Sequence, residues 1–221
     1  MHQAYVGMRR AACAAVIGGL AVTLTGIPGP ASAAARHCKI ADATTRTSYP
    51  TLSAAVNAAN SGDTLTVRGT CTSSSAADLT RPITLTITGR GKRPTVSTNG
   101  SAPILSVVSS GAQVTINGLV ITGGGSSAGD GGGLLNFGTL TLNSTTVTKN
   151  TATDSAGAAI GGGIYNNGAL TLNSSTVSNN TAASSGGGEG HGGGIYNDVS
   201  GTITLNNSSV TGNTAGGPSS D

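Results

Sequence analysis

Three glycine-rich segments of the C-terminal half, residues 123–133, 153–163 and 183–194, carry Asp130, Asp154, Glu189 and His191. Brought to one edge of a fold, these side chains would offer oxygen and nitrogen ligands to a metal, Ca2+ foremost, or an acid and a base for proton transfer. The surrounding pattern favours a plainer role. GGGSSAGDGGG departs from the G-G-x-G-x-D calcium repeat, because Ala-Gly after two serines precedes its aspartate. Glu189 is the one glutamate, no Asp-Asp pair occurs, and Lys149 is the one lysine or arginine beyond Arg93. Cleavage of a polysaccharide needs clustered acids with a base. The expectation is therefore no catalytic residue, no bound cofactor, and loop charges that solubilise an edge.

Threonines make a second chemical pattern, in the pairs Thr64/Thr66, Thr84/Thr86, Thr139/Thr141 and Thr202/Thr204, with Ala169/Thr171 breaking the series. On a strand the two hydroxyls of a pair stand about 6.7 Å apart, and stacked strands repeat at about 4.8 Å. Such a lattice could bind ice or a crystalline glycan. Threonine is equally an ordinary solvent-facing strand residue.

A repeat must position both sets. GGGLLNFGTLTLNSTTVTKNTA (131–152), GGGIYNNGALTLNSSTVSNNTA (161–182) and GGGIYNDVSGTITLNNSSVTGNTA (192–215) are successive copies. A unit this short cannot bury its own apolar face, so copies must stack to make a core. Ile83 to Ile87, Thr139 to Leu142 and Thr202 to Leu205 alternate strictly, which buries one face and leaves the other to water. Three short strands per copy make one turn of a coil. Asn143, Asn173 and Asn206, then Asn150, Asn180 and Asn213, recur after strands. Asparagine tolerates left-handed backbone at corners, and stacked amides can bond along the axis. Before the strands, Leu52, Ala55, Val56 and Ala59 form a helical stripe, with Thr51 as N-cap and Gly62 as stop. That helix can cover the open end of the coil.

Residues 1–34 read as a secretory signal: Arg9-Arg10, an apolar run over 11–24, Pro28 and Pro30, then Ala31-Ser32-Ala33 for cleavage. The run is too short to span a membrane. Arg9-Arg10 also permits a twin-arginine signal, although its flanks match poorly. Residues 35–63 then form the cap and 64–221 the coils, in a protein secreted or held at the cell surface. Cys38 and Cys71 remain after cleavage, which predicts one disulfide. From Arg36 to Arg93 there are eight basic residues against three acidic ones. Acidic or cell-envelope glycans are the expected partners. Nucleic acid is excluded by the scarcity of aromatics for stacking. After Ala215 no second amphipathic cap appears, so the expectation is either a partner, a second copy included, on the last coil or a chain that is a shortened version of a longer coil.

SGAQVTINGLVITGGG (110–125), the GGGIYN…LTL…STVSNNTA phrases and YPTLSAAVNAANSGDTLTVRGTC (49–71) resemble the pectin-lyase-like superfamily, in its polymorphic outer-membrane-protein type of repeat. The resemblance implies an all-β, right-handed parallel β-helix with an N-terminal helical cap. It implies little about activity, since the superfamily houses lyases, hydrolases, esterases, adhesins and inert coils. Its hydrolases carry Asn-Thr-Asp, Asp-Asp and His-Gly signatures, and His191-Gly192 shares only the letters of the last. A secreted, non-catalytic, glycan-contacting module is the reading. A polysaccharide lyase or hydrolase is the alternative, and a threonine-lattice binder the third.

Overall fold

The computed structural model describes residues 37–100 and 102–217; the signal read from residues 1–34 lies outside them. The alternating phrases form strands that stack in parallel, residue upon residue. Thr139–Asn143 lies between Gln113–Asn117 and Ala169–Asn173, with Leu140 beside Val114 and Leu170, and Leu142 beside Ile116 and Leu172. Thr84–Ser97 and Thr202–Asn206 extend the stack on either side. The long strand Thr84–Ser97 turns a corner, so a second face, Val120–Thr122, Thr146–Thr148, Thr176–Ser178 and Ser209–Thr211, belongs to the same 12-stranded sheet. A third face is a 5-stranded parallel sheet of Ala77–Leu79, Leu105–Val107, Leu134–Asn136, Ile164–Asn166 and Ile195–Asn197. The chain is an all-β parallel β-helix.

Period-two alternation turns every second residue of a strand inward, and in register these residues stack into apolar columns. Leu65, Ile87, Ile116, Leu142 and Leu172 are successive rungs of one column, and all are buried. Each contributes about 1.5–3 kcal/mol by leaving water. Leu205 continues this column in register, and Ile203 the adjacent one, but they are 47% and 37% exposed. They take the inward position, and among the described residues no further rung lies on them.

The glycine-rich segments were expected as loops and are partly paired. Gly125–Ser126, Thr151–Asp154, Thr181–Ser184 and Thr214–Gly216 form a 4-stranded sheet, and Ala159–Ile160 pairs with Gly190–His191. The corner asparagines also differ from expectation. Left-handed backbone is taken by Ser144, Ser174 and Asn207, each one residue after Asn143, Asn173 and Asn206. It is taken again by Lys149, Asn179 and Gly212, each one residue before Asn150, Asn180 and Asn213. The ladder asparagines keep the backbone that aims their amides along the axis, and their neighbours make the bend.

At the N-terminal end the helix Leu52–Ala58 buries Leu52, Ala55 and Val56, and Thr51 Oγ1 accepts from Ala54 N at 3.1 Å. It ends before Gly62, with Ala59 already extended. The Arg81 guanidinium donates to the freed carbonyls of Val56, Asn57 and Ala59 at 3.1, 3.1 and 2.7 Å, as suits a cation at a helix C-terminus. One element departs from the parallel pattern. Lys39–Asp42 runs antiparallel to Thr64–Thr72 and to Ser48–Tyr49, and so covers an edge that would otherwise be open. Cys38 and Cys71, separated by 33 in sequence, are joined by a disulfide that ties this strand to the first coil. Removing it with Cys38→Ser/Cys71→Ser should cost about 2–5 kcal/mol, read as a lower urea midpoint that dithiothreitol reproduces in the unsubstituted chain.

Candidate functional site

The loop edge brings the predicted site residues together in twos. Asp154 closes its strand, and its Oδ1 accepts from Ala156 N at 2.8 Å and Gly157 N at 2.9 Å. Those amides hold its carboxyl below the usual aspartate value. Asp130 bridges Ile160, and Ile160 pairs with His191, so Asp130 and His191 stand two rungs apart, about 10 Å. Glu189 and His191 approach each other at 3.9 Å, with side chains 82% and 48% exposed. Among the described residues, no three His, Cys, Asp or Glu side chains gather to hold a metal ion.

Asp130 has a different electrostatic setting. Its carboxyl is pushed above the usual value, first by lost hydration and then by the charges of Asp154 and Asp198. The folded state therefore holds that proton more tightly than the unfolded chain, and ionising it at neutral pH costs stability. Asp130→Asn should raise the thermal midpoint at pH 7. The gain should vanish below about pH 3.8, where the carboxyl is protonated in both states. Asp154 and Asp198 are lowered instead, so the stability they supply is lost as pH falls through their folded values. Melting curves of both chains at pH 3 and pH 7 check the sign.

A cluster of side chains at this edge was not anticipated. Tyr165 stacks on Tyr196 with ring centroids 5.8 Å apart and 12° between planes, and Phe137 packs from the other side at 5.7 Å. Tyr165 Oη donates to Asp198 Oδ2 at 2.5 Å, and Asn167 Nδ2 donates to the same oxygen at 3.2 Å. Burial, and then Asp198, push the Tyr165 phenol up to about 12. The repeated Ile-Tyr-Asn phrase was the available signal, since equal positions in stacked copies place ring upon ring.

The most regular surface is the outward side of the first face. Thr64, Thr86, Thr115, Thr141, Thr171 and Thr204 stand in one unbroken row across neighbouring strands. Beside it, Asn117, Asn143, Asn173 and Asn206 form a ladder in which each Nδ2 donates to the preceding Oδ1 at 2.8 Å. An amide inside this ladder uses its carbonyl and one N–H, which leaves a second N–H to face outward. The third row, Thr84, Gln113, Thr139, Ala169 and Thr202, is interrupted. Pairing threonines along single strands had hidden the unbroken row, because Thr115 and Thr171 join it only through register. Hydroxyls and amides thus repeat at about 4.8 Å along the axis over a face with no carboxylate. No family model, curated protein or solved structure matches the chain.

Proposed function

We propose that this chain is a secreted, non-catalytic β-helix of the pectin-lyase-like type that contacts carbohydrate at a cell surface through its Thr–Asn face. The unbroken threonine row beside the asparagine ladder carries this reading. Sugar hydroxyls both donate and accept, and rows of hydroxyls and half-free amides offer both partners. The parallel coil and the helical cap support the superfamily assignment, and the disulfide supports export to an oxidising compartment.

Retention on insoluble polysaccharide tests the reading. The chain without residues 1–34 should pellet with a cell-wall preparation or a crystalline glycan. Thr115→Lys/Thr171→Lys, which places two charges inside the row on rungs that are not adjacent, should reduce retention at least about tenfold, or 1.4 kcal/mol, without lowering the thermal midpoint. Equal retention of both chains would remove the face from consideration. The flat repeat also favours a second reading, adsorption to ice. Thermal hysteresis abolished by the same variant, with no glycan retained, would select it. Release of unsaturated products from polygalacturonate with Ca2+ would instead support a lyase.

A further inference from the structure

Strand register assembles a cationic ladder that composition alone could not locate. Lys39 pairs with Arg68, and Arg68 with Arg90, on three adjacent strands, and all three side chains are exposed. Neighbouring rungs lie about 4.8 Å apart, and like charges directly opposite each other destabilise a sheet. No carboxylate among the described residues pairs with Lys39, Arg68 or Arg90. The nearest acid in the strand, Asp42, is buried and bonded by Thr44 N and Thr45 Oγ1 at 2.7 and 2.8 Å. At the ladder, beside the sheet irregularity between Arg68 and Thr70, lies a shallow, solvent-open cleft of about 250 Å³, lined by Arg68, Arg90, His37 and Lys92 over Gly69 and Gly91.

From this we infer that the cleft is a binding site for a glycan bearing sulfate or phosphate esters. One guanidinium fork occupies both oxygens of a planar carboxylate. A tetrahedral oxyanion has a further oxygen to offer, so a single group can receive Arg68 and Arg90 from adjacent rungs at once. Repeated esters along a polymer extend the neutralisation to Lys39. The site does not depend on the Thr–Asn face.

Fluorescence anisotropy with labelled dextrans varies the anion and keeps the backbone. Dextran sulfate or dextran phosphate should bind the chain at least about tenfold tighter than carboxymethyl dextran of equal charge density, and plain dextran should not bind. The sulfate and phosphate arms rank the two esters. Arg68→Gln/Arg90→Gln should lose at least about tenfold, lower the salt slope by about two, and leave the thermal midpoint unchanged or higher, since repulsion is relieved. Lys149→Gln, which changes a cation outside the cleft, should bind as the unsubstituted chain does. Equal affinity for the carboxymethyl polymer, an equal loss in Lys149→Gln, or a lower midpoint in the double variant would overturn the assignment. Tighter binding to duplex DNA than to either ester would overturn it in favour of nucleic acid. Insoluble-glycan retention should survive the double substitution, so failure here leaves the Thr–Asn reading intact, and the reverse also holds.

Discussion

Asn180→Ala should destabilise the protein by about 3–6 kcal/mol, a large part of the 5–15 kcal/mol that holds a typical domain. Asn180 is fully buried. Its Oδ1 accepts from Asn150 N at 3.0 Å and Asn150 Nδ2 at 2.9 Å. Its Nδ2 donates to Val147 O and to Asn213 Oδ1, both at 3.0 Å. Truncation removes partners from the two neighbouring rungs: Asn150 N, Asn150 Nδ2 and Val147 O on one, where water does not reach, and Asn213 Oδ1 on the other, at about 1–3 kcal/mol for each group left unpaired. Asn173 occupies the outward ladder in the same copy, where solvent can replace a lost bond. Asn173→Ala should therefore cost below about 1 kcal/mol. Urea midpoints of the two variants decide the matter, and similar losses would mean that the inner ladder is not what locks the rungs.

Gly162→Ala should be at least as damaging, by about 3 kcal/mol or more, and is expected to abolish the cooperative transition. A Cβ at this position would lie 2.3 Å from Thr181 C and O and 2.4 Å from Gly193 O. Those atoms are backbone of the same and the next coil, so no rotamer change relieves the overlap. Gly187 is the control: it has φ +88°, and a Cβ there meets nothing within 4 Å. Gly187→Ala should cost only the left-handed penalty of about 1–2 kcal/mol. A Gly162→Ala chain that melts no lower than Gly187→Ala would refute the packing argument. The triplet has a separate reason at each place. Gly161 takes φ +68°, Gly162 lets two backbones touch, and Gly163 leaves room for both Gly194 O and the Asn180 amide, 2.5 and 2.9 Å from where its Cβ would be.

The repeat was legible because stacking in register copies one rung's chemistry onto the next. Leu142 over Leu172 follows from equal positions in equal phrases. The ladder Asn136–Asn166–Asn197, bonded at 2.7 and 2.6 Å, went unread although it obeys the same rule, since its phrases, Leu-Leu-Asn and Ile-Tyr-Asn, look like apolar strand ends. Asp130, Asp154, Glu189 and His191 lie on the glycine segments by sequence, but their grouping was not foreseeable. The glycine segments pair in register from coil to coil, as in the parallel Asp130–Ile160 bridge, and this sets Asp130 beside Ile160 rather than beside another acid.

Period-two alternation, the copied glycine triplets and the helical stripe were enough to determine a stacked parallel coil with a covered first end, because each is a local pattern that only burial against a neighbour can satisfy. Which outward side chains share a row was decided by the tertiary structure alone. The unbroken threonine row, the Lys39–Arg68–Arg90 ladder and the antiparallel Lys39–Asp42 strand all depend on register between strands distant in the chain. A shift of one residue would send every one of those side chains to the opposite face.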